Sequence, residues 1–126
     1  MSVSCKVLSI DHVQLAIPKG TEDRTRSFYR DVLGMKEVPK PKELAKRGGC
    51  WFASGEAQVH LGVEEDFRPA KKAHPALVVE GLDEILAKCE QAGVTYSMDA
   101  EIDGRRRVHV FDPFGNRLEL IEAKNA

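Results

Sequence analysis

No run of this 126-residue sequence is apolar for the roughly 18 residues that a membrane-spanning helix needs. Its start, Met1 to Ile10, carries Ser2, Ser4 and Lys6 where a signal peptide would have an apolar stretch. A soluble, cytoplasmic protein with no membrane partner is therefore expected. Cysteine is scarce and odd in number: Cys5, Cys50 and Cys89 include no CxxC pair, which fits neither a disulfide framework nor a cysteine zinc site and suits a reducing compartment. Net positive charge is also missing, since 19 Lys and Arg stand against 20 Asp and Glu for a formal charge of −1. Binding to a phosphate backbone usually needs a basic excess, so nucleic acid is excluded as the expected partner. A glycine-rich phosphate loop and a nucleophile elbow are absent too, which removes nucleotide-loop and serine-hydrolase chemistry.

What the sequence does have is ordinary globular material, 42% apolar and 31% charged, in a length that suits one domain spanning residues 1–126. Within it the punctuation occurs twice. Ile10 to Ile17 alternates as a half-buried strand and ends at Pro18 and Gly20; Thr21 then caps a helix through Asp31. That helix places Phe28, Tyr29, Val32 and Leu33 on one stripe, with Gly34 closing it. The second half repeats the plan with the strand His74 to Val79, a cap at Asp83, a helix stripe of Leu82, Ile85, Leu86 and Cys89, and a closing Gly93. Gly34 to His60 and Gly93 to Glu119 are both 26 positions, so His60 matches Glu119, and His12 matches His74 at the head of each half. The predicted layout is module one over about 8–64, a linker over about 65–72 containing Pro69, and module two over about 73–123, each module a strand, a helix and further strands.

Three segments carry a family resemblance: Ile10-Asp11-His12-Val13, Phe28 to Met35, and Asp112-Pro113-Phe114-Gly115-Asn116-Arg117-Leu118-Glu119-Leu120. With them the chain resembles the vicinal oxygen chelate superfamily, which includes glyoxalases, fosfomycin resistance enzymes, extradiol dioxygenases and bleomycin-binding proteins. The fold this implies is α+β, two βαβββ modules forming a cupped, partly open mixed sheet around a metal site. The ligand positions it implies fall on His12, His60, His74 and Glu119. All four residue types bind metal, and an N/O donor set leaves zinc, nickel, cobalt, manganese and iron open as the one divalent ion. A lone histidine on a strand is most often a satisfied structural residue; three on repeat-equivalent or ligand positions, with a carboxylate in the fourth, favour the metal.

Hairpin geometry places the remaining histidine. If Phe111 pairs with Arg117 across the turn Asp112 to Asn116, His109 lies opposite Glu119 and shares its face, and Arg107 points the same way. His109 is then a candidate general acid or base beside Glu119. Arg105-Arg106-Arg107 otherwise reads as a solvated turn, with an inward Arg107 as a clamp for an anionic substrate group. Gln14, two residues after His12, is a candidate substrate contact, and Cys50 a further candidate for the cup. Trp51 and Phe52 read as packing residues.

The resemblance implies a metal-dependent lyase or isomerase of glyoxalase type, acting on a small molecule that chelates through neighbouring oxygens. A small ring-cleaving dioxygenase and a non-enzymatic binding or resistance protein are the alternatives. A homodimer is expected because two small cupped sheets expose strand edges, and modules exchanged between chains would bring His12 and His60 of one copy to His74 and Glu119 of the other.

Overall fold

The computed structural model describes residues 4–124; Ser2, part of the leader reading, lies outside them. Module one runs β1 (Val13–Ile17), α1 (Glu22–Tyr29), β2 (Lys36–Val38), α2 (Lys42–Ala45), β3 (Cys50–Ser54) and β4 (Ala57–Val63). Module two runs β5 (Ala76–Val79), α3 (Leu82–Ala92), β6 (Tyr96–Ile102), β7 (Arg105–Phe111) and β8 (Arg117–Glu122). Each makes a four-stranded mixed sheet, ordered β1-β4-β3-β2 and β5-β8-β7-β6, in which the first strand pairs parallel with the last and the remaining pairs are antiparallel. A parallel pair needs a crossover connection, and α1 or α3 lies in it. The fold is thus α+β with two βαβββ modules, module one carrying a second, short helix.

Alternation along the strands separates core from cup. Ile17 of β1, Phe52 of β3, Val59 and Leu61 of β4, Val108 and Val110 of β7, and Leu118 and Leu120 of β8 are fully buried and share one apolar cluster with Phe28, Tyr29, Leu82 and Cys89 of the helical segments. The intervening residues, Gln14, Trp51, His60, Arg107, His109 and Glu119, belong to the opposite faces.

The Asp112 to Asn116 turn joins the modules. Tyr29 Oη donates to Asp112 Oδ2 at 2.8 Å, Asn116 Nδ2 donates to the Ala16 carbonyl at 2.7 Å, and Asp112 Oδ1 receives the Phe114 and Asn116 amides. This buried network ties β1, α1 and the β7–β8 turn together.

Several local expectations shift. Strand pairing begins at Val13, opposite Val59 of β4, not at Ile10. α1 ends at Tyr29, and the chain reaches Gly34 through wider turns in which the Val32 and Leu33 amides both bond the Phe28 carbonyl. Gly81 rather than Asp83 occupies the cap of α3; Asp83 sits in the first turn and accepts from Arg106 at 2.9 Å. Arg105-Arg106-Arg107 opens β7 instead of forming a turn, since the reversal is made by Asp103 and Gly104, both at positive φ. Cys50 faces the core at 1% exposure, not the cup: Trp51 pairs with His60, so its neighbour takes the other face, and burial pushes the Cys50 thiol up to about 11. No helix among the described residues is long and apolar enough to cross a membrane.

Candidate metal centre

The two sheets present matching positions. Gln14, two residues after His12, pairs with His60 in the β1–β4 ladder; Ala76, two residues after His74, pairs with Glu119 in the β5–β8 ladder. The repeat-derived equivalences therefore hold in register. A third position matches as well, because Trp51 lies opposite His60 and His109 lies opposite Glu119. The pairing of Phe111 with Arg117 and of His109 with Glu119 is the one expected from the turn.

In module two these positions converge. One ligand atom from each of His74, His109 and Glu119 lies within 4.8 Å of the others, a cluster able to hold a metal ion. His74 Nε2 is 3.0 Å from Glu119 Oε1, while its Nδ1 is 2.7 Å from the Lys72 carbonyl. A carbonyl only accepts, so Nδ1 carries the proton. In the neutral ring Nε2 then directs a lone pair at the carboxylate, and two acceptors face each other unless a cation or a further proton stands between them. A histidine held through one nitrogen by a backbone carbonyl, with its other nitrogen beside a carboxylate, is an arrangement that suits a metal ligand. The residues present fit a divalent ion.

Glu119 is 6% exposed. Burial acts to raise its carboxyl, but the His74 hydrogen bond and the charges of Arg107 and His109 outweigh it and hold the group below its ordinary value. Arg107 reaches Glu119 Oε1 at 3.4 Å and Asp99 Oδ2 at 3.3 Å, and donates from Nε to the Ala100 carbonyl. His109, 5% exposed, sits with Nε2 3.6 Å from Glu119 Oε1 and accepts from Arg117 Nη2 at 2.9 Å on Nδ1. Burial, then the Arg117 charge, lower its pKa against the pull of Asp99 and Glu119, so the neutral ring is favoured.

Module one builds a ring stack at the same positions. His60 lies between Trp51 and His12, with ring centroids 3.9 and 4.0 Å away and nearly parallel planes. His12 Nδ1 is 2.8 Å from Asp11 Oδ2. His60 Nε2 is buried with no hydrogen-bond partner, and burial followed by the His12 charge lowers its pKa. His60 thus carries an imidazole nitrogen without a partner at the position matching Glu119. The chain thus brings together His74, His109 and Glu119, with Arg107 alongside. His12, His60 and Gln14 lie on the other sheet, outside that cluster. Trp51, Asp99 and Arg117 are additional cup residues: Trp51 was legible from the two-residue Gly55-Glu56 turn, which sets it opposite His60, and Arg117 from its spacing of two from Glu119.

Comparison with known proteins places this geometry. The model of the Glyoxalase/Bleomycin resistance protein/Dioxygenase superfamily matches residues 9–120. Lactoylglutathione lyase from Salmonella typhimurium is 32% identical, covering 91% of this chain and 93% of that protein. The crystal structure of a glyoxalase family protein from Bacillus anthracis superposes with a TM-score of 0.88 at 46% identity, covering 97% of this chain and all of the other. Fosfomycin resistance protein FosX from Listeria monocytogenes, solved as a glutamate-to-glutamine mutant with Mn(II) and a dihydroxypropylphosphonic acid, shares the fold at a TM-score of 0.73 and 14% identity, covering 92% of this chain and 90% of its own.

Proposed function

Because the chain belongs to the Glyoxalase/Bleomycin resistance protein/Dioxygenase superfamily, we propose that it is a divalent-metal-dependent lyase or isomerase of glyoxalase type. The observation that carries this reading is the approach of His74, His109 and Glu119 within 4.8 Å, and the relationship to lactoylglutathione lyases over nine-tenths of the chain supports it. His74 and Glu119 hold the ion, joined by His12 and His60 of a second copy in a homodimer whose modules are shared. The unpartnered His60 Nε2 supports that completion. So does the position of β1 and β5 as sheet edges flanking a cleft of about 640 Å³ lined by Gln14, Ala16, His74, Ala76 and Asn116.

When bound, the ion supplies Lewis acidity toward two neighbouring substrate oxygens. Glu119, kept ionised by His74 and Arg107, accepts a proton from the substrate carbon beside a carbonyl. His109, close by and neutral, takes that proton or returns one at the adjacent atom. Arg107 spends part of its fork on Asp99 and Glu119 and so fixes the carboxylate, with its remaining donors and the Gln14 amide contacting substrate. The decisive experiment is metal analysis of untagged protein followed by a metal-replete screen of glutathione hemithioacetals, acyl-CoA esters and catechols. Near one ion per chain and turnover of a hemithioacetal or acyl-CoA ester are expected; metal-free protein with no turnover would overturn the reading.

One observation favours a second reading. Two histidines and one carboxylate in a single cluster are also the ligand set of non-haem iron oxygenases. Iron content with oxygen uptake on a catechol would select it.

A further inference from the structure

Module one has a feature that module two lacks. Two residues before His109 and two after Glu119, module two carries Arg107 and Ile121; the matching positions beside Trp51 and His60 are Gly49 and Gly62. Both glycines leave room that is used. A Cβ on Gly62 would stand 2.8 Å from Gln14 Nε2, so the Gln14 amide lies over the strand there, and a Cβ on Gly49 would stand 2.1 Å from the Leu61 carbonyl oxygen. The connection between β2 and β3 is thereby pressed onto β4. It is pinned by the Gly49 amide donating to Glu22 Oε2 at 2.9 Å and by Lys40 Nζ donating to the Gly48 carbonyl.

Beneath this connection is a cavity of about 250 Å³ whose walls include Gln14, Lys40, Leu44, Arg47, Trp51 and Gly62. Two cations and a primary amide line it and no carboxylate does. Among the described residues neither Lys40 nor Arg47 has a carboxylate within ion-pair distance. Elsewhere Arg26 pairs with Glu37, Arg106 with Glu122 and Arg107 with Asp99, while Arg117 of the cup, among the described residues, has no carboxylate within that distance either. Charges left unmatched around a concave space with an aromatic wall are arranged for an anionic ligand carried on an apolar body.

We propose that this cavity is an anion subsite that takes the oxyanion end of the substrate, a carboxylate or a phosphate ester. Lys40 and Arg47 supply the charged donors and Gln14 a neutral one, and Trp51 and Leu44 pack against the carbon chain next to the anion. The substrate is therefore an organic acid whose chelating oxygens lie at one end and whose charge lies at the other. This rests on the reading of the cup as the substrate face, and its test is independent of turnover.

Trp51 is the one tryptophan of the sequence and both walls this cavity and stacks on His60, so its fluorescence reports the module-one face, and the Arg47 variants tie a change to the cavity. The full-length protein is titrated at constant ionic strength with propionate, methyl phosphate and, as a neutral control, propionamide, with metal content measured on the same samples. Saturable changes with at least one anion and none with the amide are expected, the tighter anion naming the end group. Arg47→Gln, at an exposed position, should weaken that binding by about tenfold, the share of one charge-assisted contact, and Arg47→Glu should remove saturation. Lys40→Met adds a second probe, with thermal melting to show that loss of its bond to Gly48 leaves the fold intact. Equal responses to propionate and propionamide, or wild-type titration in Arg47→Glu, would overturn the subsite. A metal-free sample that still titrates normally would count against the lyase reading while leaving the subsite standing.

Discussion

The two modules place different chemistry on one scaffold. In module two the three matched positions are His74, Glu119 and His109, a polar cluster joined by hydrogen bonds and surrounded by Arg107, Arg117 and Asp99. In module one they are His12, His60 and Trp51, a stack of three rings whose central nitrogen has no partner. The register is the same and the chemistry differs: one side joins its histidines and carboxylate by polar contacts, the other stacks rings around a buried nitrogen that has no partner. The difference shows that a repeat keeps its geometry while residue choice at three positions decides what chemistry a face carries. It also explains why, among the described residues, the cluster able to hold a metal ion lies on one side.

The largest expected effect tests whether the halves complete each other. His60→Ala and Glu119→Gln should each abolish turnover when assayed alone. Equal amounts refolded together should recover up to about a quarter of wild-type activity, because half of randomly paired dimers are mixed and each mixed dimer keeps one intact site. No recovery would place the whole site within one chain and break the comparison as drawn.

His109→Gln comes next. It should keep its metal, since His109 is not among the four proposed ligands, and lower turnover about 10²- to 10⁴-fold. Loss of metal together with turnover would make His109 a ligand and favour the oxygenase reading.

Gly49→Ala probes the side without a counterpart in module two. The added methyl meets the Leu61 carbonyl at 2.1 Å, at a φ of +86°, so a loss of about 3 kcal/mol in urea unfolding is expected. Gly104→Ala, at a φ of +71° with nothing within 4 Å, should cost only about 1 kcal/mol. Equal costs would mean that the β2–β3 connection is not held against β4.

The smallest effect is a pH slope in metal-free protein. His60 and His109 both have folded pKa values below the ordinary 6.5. As pH falls the unfolded chain takes the proton first, so their contribution is present above about 6.5 and is lost as pH falls through that value toward the folded pKa values. Glu119, depressed from its ordinary 4.5, adds its own loss only at lower pH. The urea midpoint should therefore drop between pH 7 and pH 5.5. His60→Gln and His109→Gln should each flatten part of that drop.

Much of this was legible before the fold. Equal spacing from the helix-closing glycines located His60 and Glu119 as equivalents, and a five-residue turn with alternation of two located His109 and Arg107, because hairpin register is set by a few neighbouring residues. Cys50 was misplaced for want of the same count on the first hairpin. α2 was not foreseen, since a single turn after Pro41 has too few residues for periodicity to register.

By itself, then, the sequence determined the two-module plan, the β7–β8 register and the residue types that can bind metal, all of which follow from spacing along a short stretch of backbone. Only the tertiary structure decided that His74 is held by the Lys72 carbonyl, that His60 is walled in by Trp51 and His12, and that Lys40 and Arg47 share a cavity with Gln14. Those outcomes depend on which faces meet after the chain has closed on its core, and packing between residues far apart in sequence leaves no periodic trace in either partner.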